Sequence, residues 1–279
     1  MNLVCILVFA VNHGLRYPTN IFFLALNVCD FIICSVVCSA CAISAWFKLW
    51  IWGRNFCVAE GFLYYSLVVT SLYIITYISF HRYVIICNPS WVPEFLRKRD
   101  YSVCVVCFTA GCLLAAMPVV GWNHYQLEVS GITCGPAFDF RVREHTAYMY
   151  LIIALGLAIP FAVLTFSYCS ILSKVENLNR RTSDESVISH VSTARINLRI
   201  EKNVMWTCFL IILSFLVCWT PTFVVYAIHE ISEQGFLPTV VLALPSVIGK
   251  MQGLLNPIVY VLTHTQMREA TMKWCSTVV

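Results

Sequence analysis

Charge is what this sequence has least of. Only 11% of its 279 residues are charged, against 59% hydrophobic, and the mean hydropathy is +0.78. A soluble globular chain carries roughly 25% charged residues. A water-facing surface is therefore excluded over most of the molecule, and lipid is the expected solvent. The first apolar stretch has no basic n-region ahead of it, so it does not read as a signal peptide. No internal repeat or low-complexity tract is evident, and no His/Cys cluster has metal-ligand spacing, so no metal is expected. The basic stretches are Arg97-Lys98-Arg99 and the segment from Lys174 to Lys202 with Arg180, Arg181, Arg195 and Arg199. Both are short connections between apolar runs rather than nucleic-acid arms, and no nucleic-acid partner is expected.

What the chain has in abundance is long apolar runs. A helix needs about 20 mostly apolar residues to cross the hydrocarbon core. Runs of that order start near Ile21, Cys57, Tyr101, Tyr148, Val204 and Phe236. The stretch from Met1 to Val11 is apolar but too short to cross, and reads as the second half of a first helix. The expected fold is an all-α bundle of seven membrane spans with the first truncated. Residues 1–264 form the bundle, and 265–279 form a short amphipathic helix and a cytoplasmic tail. Lys and Arg gather on one side of these spans, at Arg16, Arg97–Arg99, Lys174–Lys202, Arg268 and Lys273, which makes that side cytoplasmic. The polar, serine-rich stretch from Asn177 to Thr193 is an expected mobile loop on that side.

Most of the 15 cysteines lie inside apolar runs, where Cys acts as a small packing residue. Cys57 and Cys134 differ, because the topology puts both at the outer face, where disulfides form. A bridge there ties the loop after the fourth span to the top of the third.

Lys250 is the outlier. It lies near the middle of an apolar run, roughly 20 Å from either end at 1.5 Å per residue, too far for its amine to reach water. A Lys at the bilayer centre costs about 2.5–3.5 kcal/mol. Either it pairs with a carboxylate for structure, or it is a desolvated reactive amine able to form a Schiff base with a carbonyl compound. Glu60 shares a face of the third helix with Cys57, one turn away, and is the natural partner unless the outer surface solvates it. A fixed cation at Lys250 and a carboxylate at Glu60 hold each other charged. Asp30 is a second intramembrane carboxylate, suited to interhelix hydrogen bonds or an ion site. Trp219 and Pro221 in the sixth span, with Pro257 in the seventh, mark places where a helix can kink.

These residues together resemble the rhodopsin-like class of G-protein-coupled receptors. The matches are Asn2, Leu15-Arg16-Tyr17-Pro18-Thr19-Asn20, Asp30, His81-Arg82-Tyr83, Pro160 with Tyr168, Cys218-Trp219-Thr220-Pro221, and Asn256-Pro257-Ile258-Val259-Tyr260. Within that class the chain resembles an animal opsin, because Lys250 lies six residues before Asn256, at the place of the retinal-linking lysine. The resemblance implies a receptor rather than an enzyme. It implies 11-cis- or all-trans-retinal on Lys250, with Glu60 or Glu128 as counterion, and a pocket of Trp219, Phe223, Tyr64, Tyr65 and Ser246. It implies a polar or sodium-binding network at Asp30 and Asn2. It places the switch to the G protein at His81, Arg82, Tyr83, Glu201, Tyr168, Asn256, Pro257 and Tyr260.

The expected partners are the lipid bilayer, a heterotrimeric G protein, arrestin and a receptor kinase. A PDZ-type protein could take Thr277-Val278-Val279 by strand addition. The expected location is the plasma or photoreceptor membrane, with Cys275 a palmitoylation candidate. One departure stands out: His81 replaces the acidic residue that usually precedes the arginine, leaving Glu201 as the available acid for Arg82. Photoisomerase relatives of opsins can share this departure, and a receptor for a diffusible ligand is the other alternative.

Overall fold

The computed structural model describes residues 1–12, 20–88, 100–137, 142–181, 206–207, 209–222, 224–225, 228, 237–263 and 268–272. Among these, seven helices take the place of the expected spans. They are α1 (Asn2–Val11), α2 (Asn20–Phe47), α3 (Gly53–Cys87), α4 (Asp100–Ala116), α5 (Arg143–Asn177), α6 (Phe209–Thr222) and α7 (Thr239–Thr263). A short helical stretch at 268–272 follows, and buries Ala270 against the inner core. By length and composition, α2, α3 and α5 could each cross a membrane unaided. The helices differ from the expected runs mainly at their outer ends. Helix α3 starts at Gly53 and α5 at Arg143, ahead of the apolar residues that announce them. Polar residues extend both helices past the hydrocarbon, because a spanning helix must satisfy its backbone internally wherever water is scarce.

Helix α3 is the axis of the bundle. It packs against α2, α4, α5 and both strands of the outer loop. Of its most apolar stretch 72% is buried inside the protein, against 22% for α5, whose Tyr150, Ile159 and Phe166 face outward. In lipid an apolar face gains little by turning inward, so helices associate through close packing and small residues. Gly111 shows this on α4. A Cβ there would run into the Thr70 hydroxyl and the Ser66 carbonyl of α3.

Two helices carry a π-helical turn, Ile33–Cys38 in α2 and Ala154–Ala158 in α5. Such turns loosen the backbone ladder and are frequent at functional sites. Side chains take up the slack in both. Ser39 Oγ donates to the Cys34 carbonyl at 3.3 Å, and the Tyr73 hydroxyl of α3 donates to the Leu155 carbonyl at 3.2 Å.

The core has two layers. The inner one, toward the cytoplasmic side, gathers Cys5, Val8, Phe22, Leu26, Ile75, Leu164 and Ile211. The outer one gathers Ile33, Tyr64, Tyr65, Tyr125, Phe215 and Trp219, and its buried aromatics are mostly Tyr and Trp where the inner layer's are Phe. Above it lies a two-stranded antiparallel lid, β1 (Tyr125–Leu127) on β2 (Cys134–Pro136), in the register Gln126 to Gly135. The disulfide between Cys57 and Cys134, with 5.4 Å between the Cα atoms, fastens this lid to α3. That expected bridge is therefore present.

Candidate functional site

Lys250 projects from the middle of α7 into the outer core and is 6% exposed. Its Nζ stands 4.7 Å above the centre of the Tyr64 ring, a cation–π contact from α3. Lys250, Tyr64, Asp30, Ser71, Gln252 and Gly253 border a small space between α2, α3 and α7. Among the described residues Lys250 has no hydrogen-bond or ion-pair partner, so the amine is not tied down. A lysine amine placed in this way can meet the carbonyl of a ligand.

Both expected carboxylates lie close by, and the lid positions both. Glu60 is 1% exposed, which excludes the solvated alternative for it. Its Oε1 accepts from the Thr133 hydroxyl at 2.9 Å and its Oε2 from the Cys134 backbone N–H at 2.8 Å. Each carboxylate oxygen thus has a lid donor, and the group is fixed in orientation next to the disulfide. Glu128, at the end of β1, accepts from the hydroxyl of Ser246, one helical turn before Lys250. Any Cβ at Gly135, opposite on β2, would collide with the Glu128 side chain.

Aromatic rings form the rest of the wall. Trp219 stacks on Tyr64, with centroids 6.2 Å apart, and on Phe215 at 5.8 Å, and meets Tyr65 edge-on at 6.5 Å. Its indole N–H donates to Gln252 Oε1 at 2.8 Å. Gln252 is two residues beyond Lys250, so α6 and α7 are joined through the site itself. Tyr125 descends from the lid and donates to the Ala115 carbonyl at 2.8 Å. Burial, and secondarily Tyr148, hold its phenol above the ordinary range, so it remains a neutral donor. Neither Tyr125 nor Gln252 was singled out from the sequence. Polar residues flanking the Lys250 run were the one available signal. Phe223, also expected in the pocket, lies outside the described residues.

Below the site, Asn256 Nδ2 donates to Asp30 Oδ2 at 2.9 Å, and Asn2 Nδ2 donates to the Gly253 carbonyl at 2.9 Å. These bonds knit α1, α2 and α7 around Asp30. Pro257, the next residue, is buried within α7.

At the cytoplasmic end, His81 and Arg82 are each 7% exposed. His81 packs its ring against Tyr77 at 5.8 Å, and Tyr83 meets Phe166 of α5 at 5.1 Å. Tyr168 stacks on Phe209 of α6 at 5.2 Å. Arg82, Ser79, Ser167, Tyr168 and Phe209 border a space of about 280 Å³ between α3, α5 and α6. Glu201, Cys275 and Thr277–Val279 lie outside the described residues, as does the side chain of Tyr260.

Residues 1–260 match the family model described as 7 transmembrane receptor (rhodopsin family). The chain belongs to that family, whose members are multi-pass membrane receptors rather than enzymes. Within it the chain is opsin-like. It is 28% identical to "Rhodopsin, GQ-coupled" of Mizuhopecten yessoensis over 96% of this chain and 55% of that protein. It is 26% identical to "Green-sensitive opsin" of Oryzias latipes over 98% of this chain and 77% of that protein. The chain thus spans little more than half the length of the first of these. Its fold matches squid rhodopsin with a TM-score of 0.88, at 23% identity, over 99% of this chain and 81% of that one.

Proposed function

We propose that this chain is a light-sensing receptor that carries retinal on Lys250 and signals to a heterotrimeric G protein from its cytoplasmic face. The observation that carries the reading is Lys250 itself. It is a buried amine in mid-membrane, faced by Tyr64, without a hydrogen-bond or ion-pair partner among the described residues, and with Glu60 and Glu128 anchored on its lid side. The residues fit the group. An apolar polyene suits walls of Trp219, Tyr64 and Tyr65, and an aldehyde suits the amine. Retinal, joined to that amine as a Schiff base, would supply light absorption and a change of shape.

The chain's own residues do the rest. Glu60 and Glu128 lie on the lid side of Lys250; Thr133 and Cys134 of the lid stop Glu60 from swinging away, and Ser246 of α7 does the same for Glu128. The disulfide and Tyr125 hold the lid over the site and exclude water. Trp219, bonded to Gln252, feels any displacement next to Lys250 and passes it to α6. A packing that fits one shape loses its advantage when the shape changes, and the population moves toward the other state. At the inner end, Tyr168 and Phe209 separate as α6 moves, and Arg82 becomes reachable. Relatives named as GQ-coupled and G0-coupled rhodopsins support a G protein as the partner.

Regenerating purified protein with 11-cis-retinal and with all-trans-retinal tests this directly. A light-sensitive visible absorbance is expected from the wild type and none from Lys250→Ala. No pigment from either isomer would overturn the reading. Of Glu60→Gln and Glu128→Gln, the variant whose absorbance moves to the ultraviolet at neutral pH identifies the main counterion.

A further inference from the structure

At the outer surface, away from Lys250, two imidazoles meet across an element boundary. His124 precedes β1 of the lid and His145 lies in the first turn of α5. Their ring centroids are 5.1 Å apart with planes at 62°. Two imidazoles on one tetrahedral ion, with metal–nitrogen bonds of about 2.05 Å, place their ring centres about 5.2 Å apart.

The hydrogen-bonding pattern leaves lone pairs for such an ion. His124 Nε2 is 3.2 Å from Gln126 Oε1. An amide oxygen only accepts, so Nε2 is the donor to Gln126 and Nδ1 is the nitrogen left to face an ion. A ligand histidine is characteristically oriented in this way, with its second nitrogen donating to an outer partner. On the other ring, His145 Nδ1 is buried and has no hydrogen-bond partner among the described residues.

We propose that His124 and His145 form a binding site for a divalent transition cation of the zinc type, completed by water and held in orientation by Gln126. No set of three His, Cys, Asp or Glu side chains converges among the described residues, so this is a two-imidazole site of modest affinity. Its effect follows from its place. The ion bridges the lid to the top of α5. The lid, already joined to α3, α4 and α7, would then be fastened to α5 as well.

The test uses the full chain in detergent, without retinal, so its outcome does not depend on the chromophore reading. Zinc chloride is titrated by calorimetry, with thermal denaturation followed in parallel. Wild type should show one saturable site absent from His124→Ala and from His145→Ala, and a rise in denaturation temperature that both variants lose. Gln126→Ala should keep the site with affinity reduced about tenfold, the scale of an outer-partner loss. Zinc binding that is unchanged in both histidine variants would assign it to thiols or other histidines and overturn the proposal, as would no saturable binding. Matching denaturation temperatures of the metal-free proteins establish that the variants fold.

Discussion

The two halves of this bundle are built on different terms. The outer half is tied. A disulfide, both oxygens of Glu60, the Tyr125 hydroxyl and the Glu128–Ser246 bond join the lid to α3, α4 and α7. The inner half is packed more than tied. Across α5 and α6 it has Tyr168 stacked on Phe209, and between the foot of α6 and α7 a bond from Thr207 to Thr263 at 2.7 Å. Ser79 and Ser167, buried hydroxyls bordering the inner space, have no partner among the described residues. Bonds hold geometry, whereas contacts between flat surfaces can be exchanged at little cost. The contrast suits a device that must keep a site rigid at one end and move a helix at the other.

Breaking the outer ties should cost the most. Cys57→Ser is expected to lower stability by about 2–5 kcal/mol, read as a fall in the denaturation temperature of the solubilised protein. An unchanged temperature would mean that Glu60 and Tyr125 hold the lid alone. Next, Gly61→Val should cost about 1–3 kcal/mol, because the added carbons would drive into the Tyr125 ring. Between the two halves, Asn256→Leu removes the donor to buried Asp30, and about 1–3 kcal/mol should be lost by the same measurement.

Changes confined to the inner half should do less to stability and more to signalling. His81→Glu gives Arg82 an adjacent acid, and G-protein activation in the dark should fall several-fold, the effect of about 1 kcal/mol on a two-state equilibrium. Equal dark activity in both proteins would show that His81 does not set the resting state. Smallest of all, Thr207→Val deletes one inner bond and should cost about 0.5–1.5 kcal/mol, seen as a small drop in denaturation temperature. If that loss rivalled the loss of the disulfide, the contrast between the halves would collapse.

Much of this was legible from the residues alone, for a physical reason. Spans are long and apolar because hydrocarbon demands it, so their number and order are visible. Lys250 stands out because a charge in mid-membrane is expensive. Cys57 and Cys134 stand out because topology isolates them from the other thiols. What stayed hidden depends on the chain folding back on itself. The strands of the lid are three residues each, too short for any periodicity to announce them. The grip of Thr133 and Cys134 on Glu60 joins positions more than 70 apart, and half of it uses a backbone N–H that no side-chain pattern reveals. The π-turns are equally silent, since they shift the register of a helix without altering its composition.

The bond between Glu128 and Ser246 gives the lid a second meaning. Ser246 and Lys250 ride on the same face of α7, so anything that pulls on the lid also tugs the segment that bears the amine. The roof of the site is thereby a lever as well as a cover. A small ion, an antibody fragment or a change of solvent at the outer surface could adjust the electrostatic setting around Lys250 without entering the pocket. With retinal on Lys250 as proposed, the absorbed wavelength would then be adjustable from outside the membrane.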